Sequence, residues 1–243
     1  MDYRIYLRNI KVEEESDAQK GLPVPPMEKP YPEDSVLIDL LPPDKFSIGN
    51  FPLLEAINNR ESRRKYTDEE LSLEELSFLL WTTQGVKGYK RDGLLTSRTV
   101  PSGGCMHPFE TYLVINRVAD IKPGLYRYIA TEHKLFFIRE LDPEKMPEVV
   151  GEISNRQTFV GKGAVIFIWT ARPYRTEYRY GEDSLKDILM SVGHICQNLY
   201  LACEAIKAGT CAILAYQQDE LEQFIGVDGK DEIVLYLAPM GKI

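Results

Sequence analysis

No apolar run in the sequence approaches the roughly 18 residues that a membrane-spanning helix needs, so no membrane association is expected. The opening MDYRIYLRNIKVEEE lacks the apolar stretch of a secretory signal. Cysteine is scarce: Cys105, Cys196, Cys203 and Cys211 are scattered, with no CxxC. The spacing from Cys196 to Cys203 is two helical turns. It places two small apolar side chains on one face rather than forming a disulfide, so free thiols and a cytoplasmic setting are expected. Basic charge is also short, with 29 Lys and Arg against 37 Asp and Glu and a net charge of −8. That argues against nucleic acid or an anionic membrane as partner. There is no phosphate loop ending in Lys-Ser/Thr, no GxGxxG and no GxSxG, which excludes the common nucleotide-binding and hydrolase signatures. Cys105 and His107 make a lone C-x-H without a second ligand pair, so no metal is expected.

What is present is enough apolar residue, 44% of 243, for a sizeable core. Prolines crowd into GLPVPPMEKPYP and LLPPDKF. Residues 1–45 therefore read as an extended arm, lying on a surface such as that of a partner subunit, and 46–243 as a single domain. The spacing predicts a helix over 52–60 with proline in its first turn. A second, over 72–85, has a Ser72/Glu75 capping box and a Gly85 cap. Residues 109–117 alternate as a strand, 124–140 read as a hairpin turning at Thr131 to His133, and 142–154 as a helix capped by Asp142. The apolar run 163–171 reads as a central strand. Residues 184–209 read as one long helix, apolar around most of its circumference and hence buried. Strands at 210–217 and 232–241 flank a short helix at 218–226. His194 reads as a core histidine and His133 as exposed. The hairpin rules out a pure βαβ chain, so the class is α+β, a sheet packed between helices.

Two readings exist for 60-RESRRK-65, four basic residues in six positions of an acidic chain. One is a solvated turn. The other is an anion site, with Arg60, Ser62 and Arg64 on one phosphate. Three glycine-containing stretches add candidates. In 101-PSGGCMHPFE-110, two glycines after Pro-Ser allow positive φ and the close approach of a flat ligand, although a plain turn reads the same. In 208-AGTCAILAY-216, backbone N–H groups at a helix-to-strand junction could face a bound ring. In 239-PMGKI-243, Lys242 lies beyond the last strand.

Taken together, R-x-S-R-R-x-Y, LSLEELSFLLWTTQGV, R-T-x-PSGG-x-x-x-P-x-E-x-YLV, GH-x-x-QNLYLA and G-T-C-A-I resemble the nitroreductase superfamily, most closely its SagB-type dehydrogenase branch. The likeness runs in order from about Pro52 to the C-terminus. It implies a central mixed, mostly antiparallel sheet between helices and a homodimer with two FMN molecules at the interface, each contacted by both chains. It further implies that Arg60 and Ser62 hold the FMN phosphate and that Arg64 reaches the ring or ribityl chain. Pro101, Ser102, Gly103 and Gly104 would lie against the flavin, with Arg98 just upstream. The segment through Leu214 and Ala215 would offer a backbone N–H to flavin N5, and Lys242 would stand near the phosphate. A guanidinium suits a phosphate dianion as a bidentate, permanently charged donor.

The chain departs from the family pattern at Glu61, where an arginine is usual, and at His107, where a tyrosine is usual. Ser191 stands where an aspartate is usual. The catalytic Lys-Tyr pair of the azoline-oxidising members reads Arg179 and Tyr180, and arginine cannot serve as a base near neutral pH. The implied function is FMN-dependent oxidoreduction. Electrons would come from NAD(P)H or the substrate, the acceptor would be small or planar, and Tyr180 would donate a proton or orient the substrate. The alternatives are a flavin-free scaffold in a peptide-modifying complex, or a flavin-sequestering or flavin-degrading relative.

Overall fold

In a computed structural model, which describes Arg4, Arg8 and residues 14–243, the apolar run Val165–Ala171 becomes an interior strand of a seven-stranded sheet, with four strands on one side of it and two on the other. The remainder of residues 1–13, and with them the expectation of no leader, fall outside the described residues. The strands are β1 (Leu37–Asp39), β2 (Val86–Lys90), β3 (Leu95–Arg98), β4 (Phe109–Ile115), β5 (Gly124–Ile129), β6 (Lys134–Glu140), β7 (Val165–Ala171), β8 (Ala208–Thr210) and β9 (Ile233–Lys242). The large sheet runs β1-β6-β5-β4-β7-β9-β8, and β2 and β3 form a separate hairpin. All strand pairings are antiparallel; two isolated bridges, Ser62 with Thr210 and Leu71 with Val118, are parallel.

Seven α-helices are described: α1 (Leu53–Asn59), α2 (Leu73–Gln84), α3 (Met146–Ile153), α4 (Thr158–Gly161), α5 (Tyr174–Tyr180), α6 (Ser184–Ala205) and α7 (Gln218–Ile225). Along β7 the side chains alternate between two cores. Val165, Phe167 and Trp169 meet α2 and α6, while Ile166 and Ile168 meet α3 and α7. Both faces are covered, which is why this strand reads as continuous apolar sequence. The capping box of α2 is complete: Ser72 Oγ accepts the Glu75 N–H at 3.1 Å and Glu75 accepts the Ser72 N–H at 2.9 Å.

Several expectations are corrected. The helix placed at 142–154 starts only at Met146; Asp142 caps a preceding turn through the Glu144 N–H, and Pro147 sets the helix start. Helix α6 stops at Ala205, and Lys207, with φ of 53°, turns the chain into β8. The strand expected over 210–217 shrinks to β8 and one bridge from Ile213 to Leu237. Opposite Cys211, Pro239 accepts an N–H at 3.4 Å but has none to return, so the ladder breaks there. His194 is exposed, on the outward strip of α6. His133 is half-buried: its ring bonds Tyr128 Oη at 2.7 Å and the Leu41 carbonyl at 2.8 Å, and burial lowers its pKa.

Helix α6 is not buried all round. Ile188, Val192, Ile195, Cys196 and Leu199 face the core, while Leu185, Leu189 and Met190 are exposed, Met190 by 59%. Helix α1, packed against α6, exposes Leu53, Leu54 and Ile57 as well. The described part of the proline-rich segment lies across its own chain, where β1 pairs with β6 and Tyr31 stacks on Phe136.

Three arginines hold this segment by its backbone. Arg175 Nε donates to the Pro26 carbonyl at 2.8 Å, Arg127 to those of Lys29 and Pro30, and Arg98 to that of Met27. Lys29 adds a salt bridge to Glu232 at 2.6 Å. Residues 16–31 thus form a strap bound across one end of the sheet. Among the described residues no helix is long and apolar enough to cross a membrane.

Candidate cofactor and substrate site

Arg60 closes α1, donating its N–H to the Ala56 carbonyl, and the chain then runs extended beside β8. Ser62 bridges to Thr210, and the Arg63 N–H donates to the Thr210 carbonyl at 3.0 Å. The basic run divides by partner. Arg63 is taken by Glu61 at 2.8 Å and by Glu204, its stem lying where a side chain on Gly209 would be. Arg60 and Arg64 have no carboxylate partner among the described residues. The Arg60 guanidinium sits 5.3 Å from the Tyr200 ring centre. Tyr200 Oη lies 3.0 Å from Ser62 Oγ and accepts the Ala212 N–H at 2.8 Å. Arg64 reaches back to the Ser62 carbonyl at 3.5 Å. Tyr200, absent from the sequence candidates, is thus the platform on which the arginine, the serine and the 210–212 backbone meet. Its signal was the tyrosine within QNLYLA, with nothing in the sequence to single it out.

The Pro101–Gly104 turn is held elsewhere. Ser102 Oγ accepts the His107 N–H at 3.2 Å. Gly104, Cys105 and His107 take φ of 57°, 60° and 41°, with right-handed Met106 between the last two, and left-handed backbone costs about 1 kcal/mol or more at each non-glycine position. Side-chain tips crowd the glycines at the head of the turn. A Cβ on Gly103 would lie 2.6 Å from Asp187 Oδ1, and one on Gly104 would lie 2.7 Å from Tyr180 Oη and 2.9 Å from an Arg179 nitrogen. Tyr180 is the last residue of α5 rather than part of a loop, and the Arg179 guanidinium sits 5.6 Å from its ring centre. Burial raises the pKa of Asp187, although a Gly103 backbone hydrogen bond opposes it, and its Oδ2 has no partner. Burial and Arg98 hold His107 neutral, with its pKa down to about 3 and Nδ1 unpartnered. A phenol, a guanidinium and a carboxyl whose pKa burial raises therefore border one strained turn, a set able to orient a planar ligand.

The other candidates are dispersed. Arg98 is buried and spends its guanidinium on Thr96, Gln84 and the Met27 carbonyl, beside Glu28, Glu110 and Arg175. Lys242 is bound by Glu75 of the α2 capping box and by the Ile206 carbonyl at 2.9 Å. Leu214 and Ala215 are exposed just beyond the Ile213 bridge, and the Ala215 N–H makes no hydrogen bond among the described residues. The structure thus brings together Arg60, Ser62 and Arg64 in one group, and Gly103, Gly104, Arg179 and Tyr180 in another. Tyr200 of the first group and Asp187 beside the second both lie on α6, about 20 Å apart at a rise of about 1.5 Å per residue.

The donor set suits a phosphate-bearing planar cofactor. Two guanidiniums without acids and a hydroxyl address an anion, and the glycine turn and a free N–H address a flat ring.

Comparison with known proteins agrees. The model of the nitroreductase family matches residues 57–242. A protein of Methanocaldococcus jannaschii described as a nitroreductase is 30% identical over 80% of this chain and 93% of its own length. The trifolitoxin-processing protein TfxB of Rhizobium leguminosarum is 29% identical over 65% of this chain; the match spans only 44% of that longer protein. Among solved structures, a nitroreductase-type protein of Ralstonia eutropha superposes with a TM-score of 0.69 at 24% identity, covering 91% of this chain and 98% of that one. A nitroreductase-type protein of Desulfovibrio desulfuricans in complex with FMN gives a TM-score of 0.53 at 18% identity, covering 79% and 87%.

Proposed function

The chain belongs to the nitroreductase family, and from that premise we propose that it is an FMN-dependent oxidoreductase of the SagB-type branch, acting as a cytoplasmic homodimer. The observation that carries the reading is the pair of guanidiniums, Arg60 and Arg64, left without acids beside Ser62 in a chain of net charge −8. FMN supplies hydride and single-electron chemistry when bound. Arg60, Ser62 and Arg64 hold its phosphate end, Tyr200 fixes Ser62, and the Pro101–Gly104 turn packs against the ring. Leu214 and Ala215 face the ring with backbone rather than side chain. Arg98 supports the turn through the strap instead of touching the cofactor, and Lys242 braces the end of β9. Tyr180, aided by Asp187, holds the proton that a reduced substrate takes up, and Arg179 orients that substrate. Residues 46–243 form the flavin domain and 1–45 the arm. Electrons arrive from NAD(P)H and leave to a small or planar acceptor. The FMN-bound Desulfovibrio structure supports the cofactor.

The trifolitoxin-processing relative favours a second reading, service within a peptide-modifying complex. Arg179 argues against azoline oxidation, since arginine cannot take up a proton.

The purified protein is expected to be yellow. Arg60→Ala should weaken FMN binding by roughly ten- to a hundredfold, the worth of one charge-assisted contact. Unchanged FMN affinity, read by flavin fluorescence titration, would remove the phosphate assignment. A colourless protein that reconstitutes no flavin would favour the scaffold reading.

A further inference from the structure

We propose that the strap, the end of α5 and the β2–β3 turn together form a binding pocket for a small organic anion, a carboxylate carried on an apolar or aromatic body. The cavity has a volume of about 410 Å³, within the usual range for small-molecule sites. Val24 of the strap, Leu95, Met106 and Tyr178 give it apolar walls, and Arg91 and Arg179 both line it. No carboxylate lines it, and neither arginine has an acidic partner among the described residues.

Two like charges facing one cavity repel each other, and Arg179 is half-buried, where an uncompensated charge is costly. Arg98, Arg127 and Arg175, the arginines that grip the strap, have each used the guanidinium on a carbonyl or a carboxylate. An anion entering the cavity relieves the repulsion and receives planar donors matched to a carboxylate. Its body meets the apolar walls, so charge and shape are selected separately.

The pocket is preformed. The Ala18 N–H donates to the Tyr178 carbonyl at 2.8 Å, and Tyr178 Oη donates to the Leu22 carbonyl at 2.8 Å, so the strap wall is fixed to α5. Its inner end is shared with the glycine turn, because Arg179 and Tyr180 both border Gly104. As the assignment of a substrate class this rests on the flavin reading above; as a binding site it does not.

The test titrates the purified full chain with benzoate and, separately, with nitrobenzene, which matches its shape without net charge. Affinities are read by ligand-observed NMR, and flavin content is fixed from the visible spectrum. Benzoate should bind about tenfold or more tightly than nitrobenzene. Arg91→Gln should weaken benzoate by about tenfold and leave nitrobenzene unchanged, with Arg91→Lys retaining part of the affinity, and Arg179→Gln should weaken benzoate more than nitrobenzene. Arg91 is exposed in a turn, so its replacement leaves the fold intact. Equal affinity for the two probes, or benzoate binding indifferent to both glutamines, overturns the proposal. A protein that holds FMN but not benzoate rejects the pocket alone. One that holds benzoate but not FMN upholds the pocket and rejects the flavin reading.

Discussion

A phenol hydroxyl has one proton to give and lone pairs to accept with, and that of Tyr200 has two hydrogen-bond partners. Its oxygen accepts the Ala212 N–H and lies within hydrogen-bond distance of Ser62 Oγ, while its ring carries the Arg60 guanidinium. Tyr200→Phe would leave the Ala212 N–H unsatisfied in a half-buried place, a penalty of about 1–3 kcal/mol. Its expected effect is an FMN affinity lower by about tenfold with helix content unchanged, measured by fluorescence titration beside circular dichroism. Tyr200→Leu, which also removes the ring beneath Arg60, should cost more than Phe. Equal losses for the two would assign the effect to packing alone.

The strap is the element whose seating depends most on protonation. Burial, reinforced by Glu110, pushes the Glu28 carboxyl up from its ordinary 4.5 to about 7, while Arg98 pulls the other way. Between those pH values the seated strap holds a proton that the released strap gives up. The contribution is therefore complete below 4.5 and is lost as pH rises through about 7. Limited proteolysis of residues 14–31 should accelerate from about pH 5 to about pH 8, and Glu28→Gln should flatten the profile and slow cleavage at the alkaline end. A profile unchanged in the variant would exclude Glu28 as the sensor.

At this scale the sequence was legible wherever local chemistry decides. Ser72 and Glu75 announced α2, and the alternation around Thr131–His133 announced the β5–β6 hairpin. It failed where distant partners decide. The length of β8 depends on Pro239 arriving opposite Cys211, a partner far along the chain. Helix α5 and the β2–β3 hairpin carry no apolar periodicity of their own and were not anticipated. His133 looks like a turn residue until the Leu41 carbonyl arrives to meet it.

For the molecule as a whole, the two groups of site residues lie towards opposite ends of α6, at whose Asp187 end Leu185, Leu189 and Met190 are exposed, as are Leu53 and Leu54 of the neighbouring α1. Two copies crossing antiparallel on this apolar strip would bring the Arg60 group of one to the glycine turn of the other, completing a site that neither holds alone. Leu189→Glu should leave a chain that sediments as a monomer where the unaltered chain sediments as the proposed dimer, and should weaken FMN binding together with it. A monomer that retains full FMN affinity would show that one chain suffices. Motif spacing named most members of both groups, but it could not say that they stand apart, because spacing along a chain contains no information about a second chain.

The manner in which the strap is gripped has a consequence for how such a protein can diversify. Arg98, Arg127 and Arg175 hold carbonyl oxygens, which every residue type possesses, while Asp17, Glu28, Lys29 and Tyr31 are held by their own side chains. The arginine grip is thus indifferent to what the strap spells at the positions between those four. Ala18, Gln19 and Val24, which wall the anion pocket, can drift without loosening the clamp. Descendants could exchange one clientele for another by rewriting a few letters of the strap, with the sheet, the long helix and the Arg60 group left as they are.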